Sequence, residues 1–311
     1  MMGWLSKLFQ QVINKLYRHP RSVLKNYGRF GGYFQYRQML QGQKDMAGAS
    51  LKLPPVQSHP DGLPIHFLTG KNYLYQTLFC ITSLTKASSE YLKFVLVDDG
   101  SFDDFLLERI KKQLPGSTII TKEIIDRNLN AALPQQQNPN LHAKREVYPH
   151  LKKLTDVHTI PGDDWKIVLD SDMLFWKEPV ELLNWLKAPN RPLHMIDCVE
   201  SYGYSIGLME RLSGTTIPSL LNVGAIGLKS ASINWANLDN WIKTLEEQEG
   251  ASYYLEQALT AMLIGNDRVS LDKAKYIVNP TRLNNPTDVL HHYVDLSKKL
   301  YYQQAWRQFI D

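Results

Sequence analysis

Cysteine is almost absent from this chain of 311 residues: only Cys80 and Cys198 occur, both inside apolar segments. Two such thiols predict buried free cysteines, not a disulfide framework, and they cannot supply the spacing of a zinc site. Long apolar runs are missing too. No stretch of about 18 apolar residues occurs, so a membrane-spanning helix is not expected. Charge of one sign is also scarce: 35 Lys and Arg face 31 Asp and Glu, for a net charge of +4. Internal repeats and low-complexity tracts are absent. What remains is the composition of a soluble globular protein, long enough for one large domain or two ordinary ones.

The basic excess is concentrated at the start. Residues 1–45 carry Lys7, Lys15, Arg18, Arg21, Lys25, Arg29, Arg37 and Lys44 against the single acid Asp45, and the remainder is slightly acidic. That distribution argues against nucleic acid as a partner, because the rest of the chain is not basic. Trp4, Leu5, Leu8, Phe9, Val12, Ile13, Leu16 and Tyr17 follow the 3, 4 spacing of one helix face. Such a helix fits an anionic membrane surface. It equally fits packing on the domain or on a second subunit. Gln10, Gln11, Asn14 and Lys15 interrupt the apolar core that a signal peptide requires. The expected location is cytoplasmic, with residues 1–45 as a basic amphipathic helical extension able to reach the inner face of a membrane.

Gly, Ser, Pro and Gln dominate 46–62, which reads as a linker. From residue 63 to 311 the pattern alternates. Strands are expected at 63–69, 93–97 and 117–122, with helices at 73–86 and 103–113 between them. A helix over 142–154 precedes a strand that begins at Lys166. Pro179 opens another helix, running to Leu186, before a strand-like segment at 193–197. Further strands are expected at 220–228 and 276–278, and helices at 238–247, 253–263 and 297–309. This order predicts an α/β fold with a mixed, mostly parallel sheet flanked by helices.

Two strands end in acids. Lys166-Ile-Val-Leu-Asp170-Ser-Asp172 delivers two carboxylates spaced i, i+2 to a strand's carboxyl end, where ligands bind in open α/β sheets. Such a pair can share Mg²⁺ or Mn²⁺, which keep positions open for phosphate oxygens. A polar turn after a strand is the bland alternative. Phe94-Val-Leu-Val-Asp98-Asp99-Gly100-Ser101 repeats the pattern. A carboxylate there suits a base or ribose, and helix capping explains Ser101 and Asp103 without any ligand.

These motifs, in this order, resemble the nucleotide-sugar glycosyltransferases of the Rossmann-like GT-A fold over roughly residues 63–300. Val97-Asp98-Asp99-Gly100-Ser101 is similar to their first nucleotide-contacting loop, and Asp170-Ser171-Asp172 to their Asp-x-Asp metal motif. Leu221-Asn222-Val223-Gly224 resembles the Asn-x-Gly segment of the retaining enzymes related to glycogenin and to the galactosyltransferases of lipopolysaccharide synthesis. Glu256-Gln257-Ala258-Leu259-Thr260 resembles their Asp-Gln-Asp-x-Leu-Asn, with three substitutions. His292 and Lys298 keep the spacing of a late His-x-x-Gly-x-x-Lys motif, although Asp295 stands where the Gly belongs.

The resemblance implies transfer of a sugar from a nucleoside diphosphate sugar, UDP-linked by expectation, to a hydroxyl of a glycan or glycolipid. Asp170, Asp172 and His292 would hold Mn²⁺ or Mg²⁺, with His291 as the rival imidazole. Asp98, Asp99, Asp170 and Lys298 would contact the donor, as would a basic residue on the helix before Asp170, Arg145 or Lys152. Asn222 and Glu256 would face the sugar, with Gln257 near the anomeric carbon. Retention is favoured, while an inverting enzyme would use Glu256 as general base. Two other readings remain at this stage: a catalytically inactive membrane-associated binding protein of this fold, and a nucleotidyltransferase. Tyr202, Tyr204, Trp235, Trp241, Tyr253 and Tyr254 suit sugar stacking, and equally suit a core.

Overall fold

The computed structural model describes residues 25–310. The amphipathic pattern at Trp4 to Tyr17 lies outside them. Helix α1 (Tyr33–Ala49) precedes the alternating region of β1 (Leu63–Thr69), α2 (Leu74–Ala87), β2 (Leu92–Asp98), α3 (Asp104–Gln113), β3 (Thr118–Ile120), α4 (Lys122–Ala132), α5 (Pro139–Val147), α6 (Lys152–His158) and β4 (Trp165–Leu169). The second half contains β5 (Met173–Phe175), α7 (Val180–Lys187), β6 (Leu193–Met195), α8 (Ile206–Ser213), β7 (Asn222–Lys229), α9 (Trp235–Glu249) and α10 (Leu255–Ile264). Last come β8 (Val269–Ser270), β9 (Tyr276–Val278), β10 (Leu290–His292) and α11 (Lys298–Gln303).

A seven-stranded sheet runs β3-β2-β1-β4-β7-β6-β8. Strands β3, β2, β1 and β4 are parallel, β7 is antiparallel to both β4 and β6, and β8 is parallel to β6. Helices cover both faces, so the central strands bury alternate side chains into two cores. Phe94, Leu96, Ile167 and Leu169 join one core beneath α2 and α11. Val95, Val97 and Val168 join the other beneath α4, α6 and α10. Each fully buried large aliphatic side chain contributes about 1.5–3 kcal/mol, so both faces are needed to hold the sheet. A small sheet, β5-β10-β9, sits beside the carboxyl end of β4.

Helix α1 is docked on α11. A Cβ at Gly42 would stand 2.3 Å from the carbonyl oxygen of Tyr302, so the helices approach at a distance only glycine permits. Met46 is fully buried, and Gln43 donates to the Tyr75 hydroxyl at 2.9 Å. The Gly, Ser, Pro and Gln stretch at 46–62 is pinned to the domain. Gln113 donates to the Ser50 carbonyl at 2.7 Å, and the Ser58 hydroxyl accepts from the Phe94 amide at 2.9 Å.

Several expected elements differ in detail. The helix expected over 142–154 is two helices, because Pro149 drives Tyr148 to an extended conformation (φ −133°, ψ 87°). The strand expected at 117–122 stops at Ile120, and α4 begins at Lys122 with Ile125 and Leu129 on its buried face. The helix expected at 297–309 breaks at Gln304 and continues as a 3-10 turn, Ala305–Phe309. Cys80 is buried as expected, but Cys198 is exposed, since β6 ends at Met195 and leaves it in a loop. No helix among the described residues is long and apolar enough to cross a membrane.

Candidate active site

Strand β4 ends at Leu169, and in the loop that follows Asp170 and Asp172 line a cavity of about 880 Å³. The loop is pinned on three sides. The Asp170 amide donates to the Gly224 carbonyl at 2.7 Å, and the Asp172 carbonyl accepts from the Tyr293 amide at 2.9 Å. Ser171 turns away from the cavity into a hydroxyl chain, Thr69 to Thr77 at 2.7 Å and Thr77 to Ser171 at 2.8 Å. The carboxylates of Asp170 and Asp172 are thereby aimed the same way.

Strand β10 brings the imidazole. Side chains alternate along a strand, so adjacent histidines point to opposite sides. His291 faces inward and is fully buried, with Nε2 2.9 Å from Asp288 and Nδ1 3.2 Å from the Tyr293 hydroxyl. His292 faces the cavity, its Nε2 3.5 Å from Asp170 Oδ2 and 3.3 Å from Asp172 Oδ1. Its Nδ1 lies 2.9 Å from Asn222 Oδ1, an acceptor, so the ring proton sits on Nδ1. Nε2 is left as a buried nitrogen with no hydrogen-bond partner, aimed between two carboxylates. Ligand atoms of Asp170, Asp172 and His292 all lie within 4.8 Å of one another. Two carboxylate oxygens and a bare imidazole nitrogen match the donor set of Mn²⁺ or Mg²⁺.

The Asn-x-Gly segment explains itself here. The Asn222 side-chain oxygen accepts from both His292 and the Gly224 amide, the latter at 2.9 Å. A Cβ at Gly224 would stand 2.4 Å from the His292 ring, so that position has no room for a side chain. Asn222 donates in turn to Asp197 at 3.0 Å, and Gln257 reaches the same carboxylate oxygen at 3.5 Å. Sequence reasoning missed Asp197, although it follows β6 as Asp170 follows β4: another acid beyond a strand's carboxyl end.

Lys153, on α6, holds the acids together. Its Nζ is 2.7 Å from Asp170 Oδ1 and 3.6 Å from Glu256 Oε2. Burial alone would strip its proton, but Asp170 and Glu256 raise its pKa above the ordinary lysine value. Burial pushes Glu256 up to about 7, with Lys153 opposing and Asp170 adding to the rise. For His292, burial is outweighed by the charges of Asp172 and Asp170, which raise it to about 9: the two carboxylates draw positive charge to Nε2, a proton or, in its place, a metal ion. Burial would raise Asp172, but the charges of Lys298 and His292 hold it far below the usual carboxylate range. Lys298 donates to Asp172 from the start of α11. Asp295, where the resemblance leads one to expect Gly, adopts the left-handed backbone that Gly favours, with φ +47°.

Three residues expected at the site are engaged elsewhere. Arg145 makes a two-pronged pair with Asp156 at 2.6 and 2.7 Å, and Asp156 is fully buried. This pair is a brace between α5 and α6. Asp98 points one carboxylate oxygen at the amides of Gly100, Ser101 and Phe102, at 2.7, 2.9 and 3.0 Å, and so shapes the turn after β2. Asp99 accepts from the Ser101 hydroxyl at 2.5 Å, and its carbonyl accepts from Lys152 at 2.6 Å. None of the three lines the cavity. Among the candidate aromatics, Tyr202, Tyr204 and Trp241 belong to the core, while Tyr253 and Tyr254 line the cavity mouth with Tyr148 and His150.

Comparison with solved structures gives the fold its name. The chain is similar to the galactosyltransferase LgtC in complex with donor and acceptor sugar analogues, at 15% identity over 74% of this chain and 86% of that one, with a TM-score of 0.50. It is likewise similar to mouse xyloside xylosyltransferase 1 in its apo form, at 13% identity over 76% of this chain and 97% of that one, also with a TM-score of 0.50. This chain has the GT-A glycosyltransferase fold. Neither a scan against protein-family models nor a search of curated proteins finds a match.

Proposed function

We propose that the protein is a metal-dependent glycosyltransferase that moves a sugar from a nucleoside diphosphate sugar to a hydroxyl of a glycan or glycolipid. The observation that carries this reading is the bare, buried Nε2 of His292, aimed between Asp170 and Asp172 at the carboxyl end of β4. Nothing in the packing of a turn requires an unsatisfied imidazole beside two carboxylates, and such a group is costly unless a ligand completes it.

A divalent cation held by Asp170, Asp172 and His292 would supply Lewis acidity toward the departing diphosphate. Lys298 would turn from Asp172 to the diphosphate as negative charge builds there, an interaction stronger in the transition state than in the ground state. Asn222 fixes the His292 tautomer, and Asp197 orients Asn222 and Gln257 beside it. Gln257 would face the anomeric carbon.

Retention is the stereochemistry we favour. Glu256 is 3% exposed, its Oε1 is enclosed without a partner, and its Oε2 faces Lys153. Glu256 lines the cavity only with a nearly buried side chain that is turned to Lys153, which makes it a poor base for an acceptor hydroxyl, so that proton would pass to a leaving-group oxygen on the same face of the sugar. The test is donor binding and hydrolysis by the purified protein with Mn²⁺, across UDP-, GDP-, ADP- and CMP-sugars, beside Asp172→Ala. Metal-dependent turnover of one donor, lost in the variant, is expected. The absence of any metal-dependent interaction would overturn the reading in favour of an inactive binding protein.

A further inference from the structure

The segment before the catalytic sheet forms one wall of the cavity. Arg29, Phe30, Tyr36, Met39 and Gln43 line it together with Asp172, His292 and Lys298. Arg29 is the cation of that wall. Among the described residues its guanidinium forms one ion pair, with Asp295, and both side chains are about half exposed, at 45% and 46%. An ion pair so open to water contributes little to stability. Asp295 lies three residues before Lys298, on the turn that opens α11. Arg29 and Lys298 therefore approach the same loop from opposite elements, each resting on an aspartate.

The remaining cation of the cavity is committed. Lys153 is buried between Asp170 and Glu256, where its removal would leave two carboxylates facing each other. The charge of a divalent cation would be balanced by Asp170 and Asp172, so a diphosphate carries more negative charge than Lys298 alone can match, and a planar guanidinium grips phosphate oxygens with two donors at once.

Resting on the functional reading above, we infer that Arg29 is a phosphate-binding residue that exchanges Asp295 for the donor's diphosphate. The N-terminal segment thus contributes a working part of the site. Gly42, pressed against Tyr302, fixes the wall to the helix that begins with Lys298. Diphosphate between Arg29 and Lys298 would tie the segment to the sheet.

The test uses the full chain and isothermal titration with UDP, GDP, ADP and CDP in the presence of Mn²⁺, followed by the nucleoside of whichever base binds best. Arg29→Ala is expected to weaken the diphosphate by about ten- to a hundredfold, with nucleoside affinity and melting temperature unchanged. Arg29→Lys should recover part of the loss. Wild-type diphosphate affinity in Arg29→Ala would overturn the inference, as would an equal loss of nucleoside and diphosphate with a lowered melting temperature. If the wild-type protein binds none of the four diphosphates, the functional reading fails, and this inference with it. Tight binding by the wild type that is indifferent to Arg29 defeats the inference alone.

Discussion

Gly224 and His292 touch so closely that a Cβ on Gly224 would stand 2.4 Å from both Nδ1 and Cε1 of the imidazole. Strand β7 contributes the space and Asn222 the hydrogen bond that together set the ring. Gly224→Ala is expected to displace the ring and weaken Mn²⁺ binding by about 10–100-fold, the usual cost of disturbing the support of a metal ligand. Titration calorimetry with Mn²⁺ checks this, beside a circular dichroism spectrum expected to match wild type. Unchanged Mn²⁺ affinity would remove His292 from the ligand set.

Lys153 and Arg145 are both basic and partnered with acids, yet their roles separate cleanly. Arg145→Ala leaves Asp156 buried without its partner, so a stability loss of about 3–5 kcal/mol is expected, with nucleotide affinity at the wild-type level. Lys153→Met is expected to lower stability and abolish donor binding together, because Asp170 and Glu256 lose the buried lysine that stands between them. Urea unfolding and nucleotide titration on each variant distinguish brace from site.

How much of this was legible in the sequence follows from what each kind of signal encodes. The strands around Asp170 announced themselves by composition, and a strand's carboxyl end is where ligands sit, so Asp170 and Asp172 could be found without coordinates. His292 was separable from His291 only through its spacing to Lys298, and the strand's two-residue period supplies the physical reason. Lys153 was not separable from Lys152 or Arg145, since charge alone does not say which way a helix is turned. Asp98 could not be sorted by sequence, because an acid that shapes a turn, as this one does, and an acid that binds a ribose look alike. The helix at 122–132 was overlooked although Ile125 and Leu129 have helical spacing, because the strand before it ends only two residues earlier.

His66, His158 and Lys166 form a buried basic cluster on β1, α6 and β4. His158 and Lys166 both contact the Ser230 hydroxyl, at 3.0 and 2.7 Å. Burial, reinforced by the Lys166 charge, lowers both histidines to about 3. A histidine depressed in the folded state is neutral in both states above pH ~6.5. Below that value the unfolded chain takes up protons that the folded chain refuses. Stability from these groups is therefore full above pH ~6.5 and is lost as pH falls toward 3. Thermal unfolding between pH 7 and 4 should show a steep decline, and His158→Asn should flatten it.

Gly42 tests the docking of α1. With the Tyr302 carbonyl 2.3 Å from a modest Cβ, Gly42→Ala is expected to cost about 1–3 kcal/mol through overpacking. The effect should extend to Lys298, at the far end of α11, and raise the KM for donor. Proteolysis at 46–62 should quicken in the variant, since that stretch follows directly on α1.

Metal binding at Asp170 and Asp172 is tested most simply by a crystal structure with Mn²⁺ and a nucleoside diphosphate, with data collected at the manganese edge. The expected result is an anomalous peak bound by Asp170, Asp172 and His292 Nε2, with diphosphate oxygens on its open side and Lys298 turned from Asp172 toward them. A peak elsewhere, or none under conditions where the nucleotide is bound, would contradict it.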